Sequence, residues 1–582
     1  MPRNATYSTS VILKRLWAYV RPHWRLLVLG VLMMPVLMAL ELAGPMVLKR
    51  IVDDYLSLGN TDGLVLITAV FVLLILGRSL VELAQTLVFV TLGQRSARDL
   101  RVGLYRHFIR QRAAFFDRVP TGQVVSRLSS DVDDISETVS SGFFLIAIDV
   151  IRLLAILAFM FALNAPLALA CAASAIVLAI PISFMRKWMR NASRDERQAL
   201  GRMTETLSEY IGGMRVVQVF RREPHANQVF QRHSHRLRDA AISAIRSEVW
   251  LSGLIESSAT VGTAIVVFYA SGADAAGISV GLVVAFIDFI NKMQAPILRV
   301  TQRLGEAQSA LASAERVLES LDDDQVDAPV VPEHADAAPR EEAVIRFDNV
   351  TFGYREHEPV LKGVSFDITA GESIAIVGPT GSGKSSVIKL LTRLYEPTGG
   401  SIRCFGRDVR GMTAKELRKR ITVVSQDSFL FSGTVEANVS LAAEGVGKDK
   451  VDEALRRVGA DQALARKECS TDEDVAERGA NFSAGEKQMI TFARALVRDP
   501  EVLVLDEATA HVDPEAEKVI ERGLEELMAG RTSIIIAHRL ATVRRVNRIL
   551  VISEGRVVES GSRSELLARG GLYAQLERSM AE

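Results

Sequence analysis

Six apolar runs in the first half of this 582-residue chain limit its fold more than any other feature. They lie at about 25–49, 63–93, 142–163, 166–185, 249–271 and 277–299. Several reach or exceed the roughly 20 residues that a helix needs to cross a bilayer. Stretches such as Leu27-Val28-Leu29-Gly30-Val31-Leu32-Met33-Met34 lack the polar stripe of an amphipathic helix in a soluble protein. Apolar residues make up 48% of the chain and charged residues 24%, so the two kinds are segregated along it. The expectation is a membrane domain of six transmembrane helices, in contact with the lipid bilayer, over residues 1–320.

Charge sets the orientation. Lys14, Arg15, Arg21 and Arg25 precede the first run, Arg95 to Arg112 follow the second, and Arg186, Lys187, Arg190 and Arg194 follow the fourth. The opposite loops are short or acidic, with Asp53, Asp54 and Asp62. The positive-inside rule then puts both ends in the cytoplasm. The charged stretches after runs two and four read as helices continuing into the cytoplasm. Each ends in a short exposed tip, one near 115–122 and one near 210–214. Inside the runs, Arg78 with Glu82 and Asp288 with Lys292 have pairing distance on a helix. Glu41, Asp149 and Glu256 have no partner at that spacing and are expected to face a polar cavity. The first 24 residues show no short apolar core with a cleavage site, so no cleaved signal peptide is expected. A net charge of +0 gives no reason to expect a nucleic-acid partner. Cys171, Cys404 and Cys469 are too scattered for a metal site or a disulfide framework.

The second half carries the chemistry. Gly378-Pro379-Thr380-Gly381-Ser382-Gly383-Lys384-Ser385 fits G-x-x-x-x-G-K-[ST]. It follows the strand-like Ser373-Ile374-Ala375-Ile376-Val377 and opens a helical stretch from Ser386. Glycines let the backbone approach a polyphosphate, and the helix start adds partial positive charge. Lys384 is placed for the β- and γ-phosphates and Ser385 for Mg²⁺. A second apolar strand, Val502-Leu503-Val504-Leu505, ends in Asp506 and Glu507. Asp506 is expected to order Mg²⁺ and Glu507 to act as general base on the attacking water. His538 ends a third strand and is expected to sense the γ-phosphate. Gln426 follows Ile421-Thr422-Val423-Val424 and is a candidate contact for Mg²⁺ or the water.

Together these residues resemble the ATP-binding cassette (ABC) transporters of the exporter type, and in particular bacterial multidrug (MdlB-like) half-transporters. The resemblance covers nearly the whole chain. It implies a six-helix membrane domain fused to a cytoplasmic α/β P-loop domain, with a linker over 321–342 and the nucleotide-binding domain over 343–582. It also implies ATP and Mg²⁺ as cofactors and a dimer of two such chains in the cytoplasmic (inner) membrane. Asn481-Phe482-Ser483-Ala484-Gly485-Glu486 stands where the family has LSGGQ, so Ser483 and Gly485 would clamp ATP held by the other subunit. Tyr354 matches the aromatic that stacks on adenine, His538 the switch histidine, Asp513 an aspartate that crosses the dimer interface, and the two tips the coupling helices. Phe482, Ala484 and Glu486 depart from the signature, and Ala510-His511-Val512 departs from a neighbouring motif. An intact Glu507 beside an altered signature favours a heterodimer with a second half-transporter over a homodimer. The implied activity is ATP-driven export of small hydrophobic or amphipathic molecules. A lipid or lipid-linked glycan flippase and an ATP-gated channel or signalling module are the alternatives. Glu507→Gln is expected to lower ATP turnover by about 10²–10⁴-fold while nucleotide binding survives, as steady-state hydrolysis and a binding assay on the same preparation would report.

Overall fold

The computed structural model describes residues 7–138, 143–271, 278–323, 343–355, 357–443, 445–465, 471–506, 514–537 and 543–581. The chain divides into two compact units: Met1–Arg110 with Pro120–Asp324, and Gln111–Val119 with Gln325–Glu582.

The first unit is helical. Its elements are α1 (Thr9–Val20), α2 (Trp24–Arg50), α3 (Leu64–Phe108), α4 (Phe143–Leu163), α5 (Ala165–Gly212), α6 (Glu223–Ala270) and α7 (Val280–Leu321). Among the described residues, five helical segments are long and apolar enough to cross a bilayer. The fourth apolar run lies on α5, a helix of 48 residues. Helices α3, α5, α6 and α7 have 42 to 48 residues. At 1.5 Å per residue each exceeds twice the roughly 30 Å of hydrocarbon in a membrane. They therefore continue past the lipid, as the charged stretches suggested. On α3, Leu66, Leu73 and Leu80 recur every seven residues and are 71%, 69% and 68% exposed. Such an apolar outer face suits lipid rather than water. The inward residues Ile156, Met160, Leu167, Phe286 and Phe289 form a shared core between α4, α5 and α7.

Ion pairs bind these helices to one another. Glu41 of α2 is buried and lies 2.8 Å from Arg152 of α4 and 3.6 Å from Arg78 of α3. Asp149 of α4 is buried and takes Arg299 at 2.8 Å and Arg303 at 2.9 Å, both from α7. The expectation that Glu41 and Asp149 face a polar cavity is thus corrected: each is neutralised by arginines from other helices. A carboxylate in a low-dielectric interior needs a counter-charge, and neither has one four residues away on its own helix. The local pairs do form, Lys292–Asp288 at 3.0 Å and Arg78–Glu82 at 3.6 Å. Glu256 is exposed on α6. Just past α7, Asp322 accepts hydrogen bonds from Tyr7 and, at 2.7 Å, from Arg15 of α1. The start of the chain is thereby latched to the end of the last long helix.

The extensions beyond the apolar runs end where turn chemistry placed the tips. After α3 come the short helices Ala113–Arg118 and Thr121–Ser126. After α5, Gly213 breaks the helix before Met214–Val219. Val219 and Phe220 at that second tip are 77% and 70% exposed.

The second unit is α/β. Strands β1 (Ala343–Phe352), β2 (Leu361–Thr369), β4 (Gly399–Cys404) and β5 (Arg407–Asp408) make an antiparallel sheet in the order β2-β1-β4-β5. A six-stranded sheet contains β3 (Ser373–Val377), β6 (Ile421–Val424), β9 (Val502–Asp506), β10 (Thr532–Ile536), β11 (Arg548–Ser553) and β12 (Arg556–Gly561). Its order is β12-β11-β3-β10-β9-β6, parallel except for β12. The short strands β7 (Gly433–Thr434) and β8 (Asp474–Val475) pair separately. Parallel strands covered on both faces read as unbroken apolar runs. Along β3 the faces divide: Ile374 and Ile376 join the core under the antiparallel sheet, while Ala375 and Val377 join the helical side. The helices used below are α8 (Lys384–Leu391) and α9 (Ala484–Leu496).

Arg152→Ala leaves the Glu41 carboxylate with the more distant Arg78 alone. A loss of about 3–5 kcal/mol is expected, read as a lower unfolding midpoint in detergent. Glu41→Gln with Arg152→Met should recover most of it.

Candidate nucleotide site

The phosphate loop is shaped by one tight approach. A Cβ on Gly378 would sit 2.0 Å from the carbonyl oxygen of Ile552, so no side chain fits there. Gly381 and Gly383 have φ of 82° and 103°, conformations that L side chains avoid. The loop therefore turns sharply from β3 into α8. Lys384, the first residue of α8, curls back and donates to the carbonyls of Gly378 and Pro379 at 2.8 and 2.9 Å. Burial lowers its pKa, opposed by the charge of Asp506 at the end of β9. The hydroxyl of Ser382 is buried and has no hydrogen-bond partner among the described residues. A buried orphan hydroxyl in a glycine cradle with a lysine at its rim suits a polyphosphate. Thr380 and Ser385 are exposed at the loop surface.

The parallel order brings the predicted residues to one edge. Going along β3, β10, β9 and β6, the carboxyl ends carry the phosphate loop, the approach to His538, Asp506 and the approach to Gln426. Ligands of open parallel sheets bind at this edge. Gln426 is exposed two residues past β6. Glu507, His538 and Asp513 lie outside the described residues, as does most of the expected linker.

Tyr354 lies beside the loop, with its hydroxyl 3.1 Å from Ser386 Oγ. Sequence reasoning missed its neighbours. Lys389 of α8 places its ammonium 5.0 Å from the centre of the Tyr354 ring, and Tyr395 meets that ring edge-on at 5.2 Å. An apolar-looking helix offered no sign that Lys389 serves two aromatic rings.

The signature region is built as a helix start. Ser483 caps α9 and Glu486 closes a capping box: the Ser483 N–H donates to Glu486 at 2.7 Å, and the Glu486 N–H donates to Ser483 Oγ at 3.3 Å. Phe482 is buried in the helical-side core, so its departure from leucine is a packing change. Gly485 is buried within the first turn of α9.

Family models match the chain twice: ABC transporter transmembrane region over residues 24–297 and ABC transporter over residues 361–510. A relative from Bacillus subtilis strain 168, the uncharacterized ABC transporter ATP-binding protein YknV, is 33% identical over 97% of this chain and 94% of its own. The chain is an ABC exporter. It is also 32% identical, over 97% of this chain and 94% of the relative, to an ATP-dependent lipid A-core flippase of Syntrophus aciditrophicus. A solved bacterial Atm1-family ABC exporter with ATP bound superposes with a TM-score of 0.77 at 28% identity, covering 96% of this chain and 98% of that one. The exporter accordingly binds nucleotide and hydrolyses ATP to drive transport, and its half-transporter fold implies a dimer in a membrane.

Gly378→Ala forces a side chain onto the Ile552 carbonyl. A cost of about 1–3 kcal/mol is expected in the loop-formed state, seen as weaker ATP binding with the membrane helices still folded.

Proposed function

We propose that this exporter moves hydrophobic or amphipathic small molecules out across the cytoplasmic membrane, paired with a different half-transporter. The carrying observation is the phosphate loop, with its partnerless Ser382 hydroxyl and its lysine held on loop carbonyls. The apolar outer face of α3 supports membrane residence. Kinship with a probable multidrug resistance ABC transporter of Bacillus subtilis, YheH, supports the substrate class; it is 34% identical over 83% of this chain and 72% of its own length.

The reading assigns each residue a task. The backbone from Gly378 to Ser386 cradles the phosphates, Lys384 reaches the terminal ones, and Tyr354 stacks on adenine. Ser385, Gln426 and Asp506 would hold Mg²⁺, which offsets charge building on the transferred phosphoryl group. Glu507 takes the proton from the attacking water and His538 holds the terminal phosphate in register. Ser483 and Gly485 complete the site of the partner subunit. The tips near 115–122 and 210–214 carry the motion to helices spanning residues 1–320, joined through 321–342 to the cassette at 343–582.

Glu486 supports a heterodimer. Its carboxylate already occupies the Ser483 N–H, at the helix start where a phosphate from the partner's nucleotide would bind. A glutamine would leave that end one negative charge poorer. Glu486→Gln is expected to raise hydrolysis at the composite site this signature completes by severalfold, measured on the co-purified pair in lipid. Full ATPase activity from this chain alone, equal to that of the pair, would dismiss the heterodimer.

A lipid flippase is the second reading. It is favoured by relatives named ATP-dependent lipid A-core flippase, 31–32% identical. Reconstituted vesicles separate the readings: dye efflux supports the first, and leaflet-to-leaflet lipid movement without efflux supports the second.

A further inference from the structure

The flank of the phosphate loop is fastened to the first cytoplasmic tip. Tyr354 and Tyr395 lie edge to face, 5.2 Å apart with planes at 86°. Each also meets Phe352 edge-on, at 5.0 and 5.6 Å. The ammonium of Lys389 sits over both tyrosines, 5.0 Å from one ring centre and 5.5 Å from the other. Lys389 belongs to α8, and so does Ser386, which contacts the Tyr354 hydroxyl at 3.1 Å. At the far side of this cluster stands Asp117, from the short helix Ala113–Arg118. Its carboxylate accepts the Tyr395 hydroxyl and lies 3.9 Å from the Lys389 ammonium. Arg112 of the same tip approaches Glu396, the residue after Tyr395, at 3.4 Å. Burial and the nearby Asp117 carboxylate push the Tyr395 phenol up, so it stays protonated and donates throughout the physiological range.

We infer that Asp117, Lys389 and Tyr395 form a relay that ties the hold of the tip segment to the affinity of the Tyr354 ring for an adenine base. The inference rests on the reading of Tyr354 as the adenine platform. One ammonium is divided among two ring faces and one carboxylate. When Asp117 withdraws, Lys389 and Tyr395 lose the anchor that fixes their positions. Tyr354 then loses the cation at its face and the edge contact that orients it, and a base finds a less prepared surface. Linkage requires the reverse as well: whatever the tip does for base binding, base binding does for the tip. A ligand made only of phosphates touches the cradle and α8 but not the ring, and is blind to the relay. Lys389 and Tyr395 are positioning residues in this scheme, acting through Tyr354.

The blindness supplies the test. ATP and inorganic tripolyphosphate, each with Mg²⁺, are titrated calorimetrically into the full-length chain in lipid nanodiscs. Asp117→Asn and Tyr395→Phe, both near-isosteric, should each weaken ATP about two- to fivefold, the scale of one exposed cation–ring contact, and leave tripolyphosphate unchanged. An equal loss for both ligands, or no loss for ATP, overturns the relay. Tyr354→Ala separates the two layers. If it fails to weaken ATP relative to tripolyphosphate, the adenine-platform reading has failed. If it does weaken ATP selectively while Asp117→Asn does not, the relay alone has failed.

Discussion

The phosphate loop exists because a backbone is pressed against a backbone. Gly378 approaches the Ile552 carbonyl so closely that the position excludes every side chain. That contact pins the exit of β3 against its neighbour β11 and sets the angle at which α8 departs. The apolar residues of β3 and β10 beneath it are buried between two apolar layers, and close packing makes such strands stiff. Stiffness matters because a cradle of amide donors works only if it is formed before the anion arrives. Everything else at the edge of the sheet, from Lys384 to Asp506, takes its position from that frame.

The membrane unit answers a different demand. Lipid offers no hydrogen bonds, so each apolar run must close its own backbone as a helix. This is why the runs and the helices coincide so well. The phosphate loop was equally legible, since strand, glycines, lysine and helix are contiguous in the chain. Interhelical partners were not legible. Glu41 meets Arg152 and Asp149 meets Arg299 across more than a hundred residues, and nothing in their own helices announces it. Spacing rules reveal only local pairs such as Asp288 with Lys292. The tips fell near their predicted places because turn residues mark them, yet the pairing of Asp117 with Tyr395, 278 positions away, was invisible.

The signature region shows how one motif can serve two masters. Sequence comparison marks Phe482, Ala484 and Glu486 as departures of one kind. The structure separates them: Phe482 fills a core, whereas Glu486 closes a cap over the helix start. A family resemblance locates such a stretch, and only side-chain geometry sorts packing changes from changes in charge.

The latch at Asp322 has a mechanical meaning. Tyr7 and Arg15 hold the residue at which the last long helix gives way to the chain leading to the cassette. These bonds join the opening helix of the polypeptide to the end of the last one, so the two extremities of the membrane bundle are held as one joint.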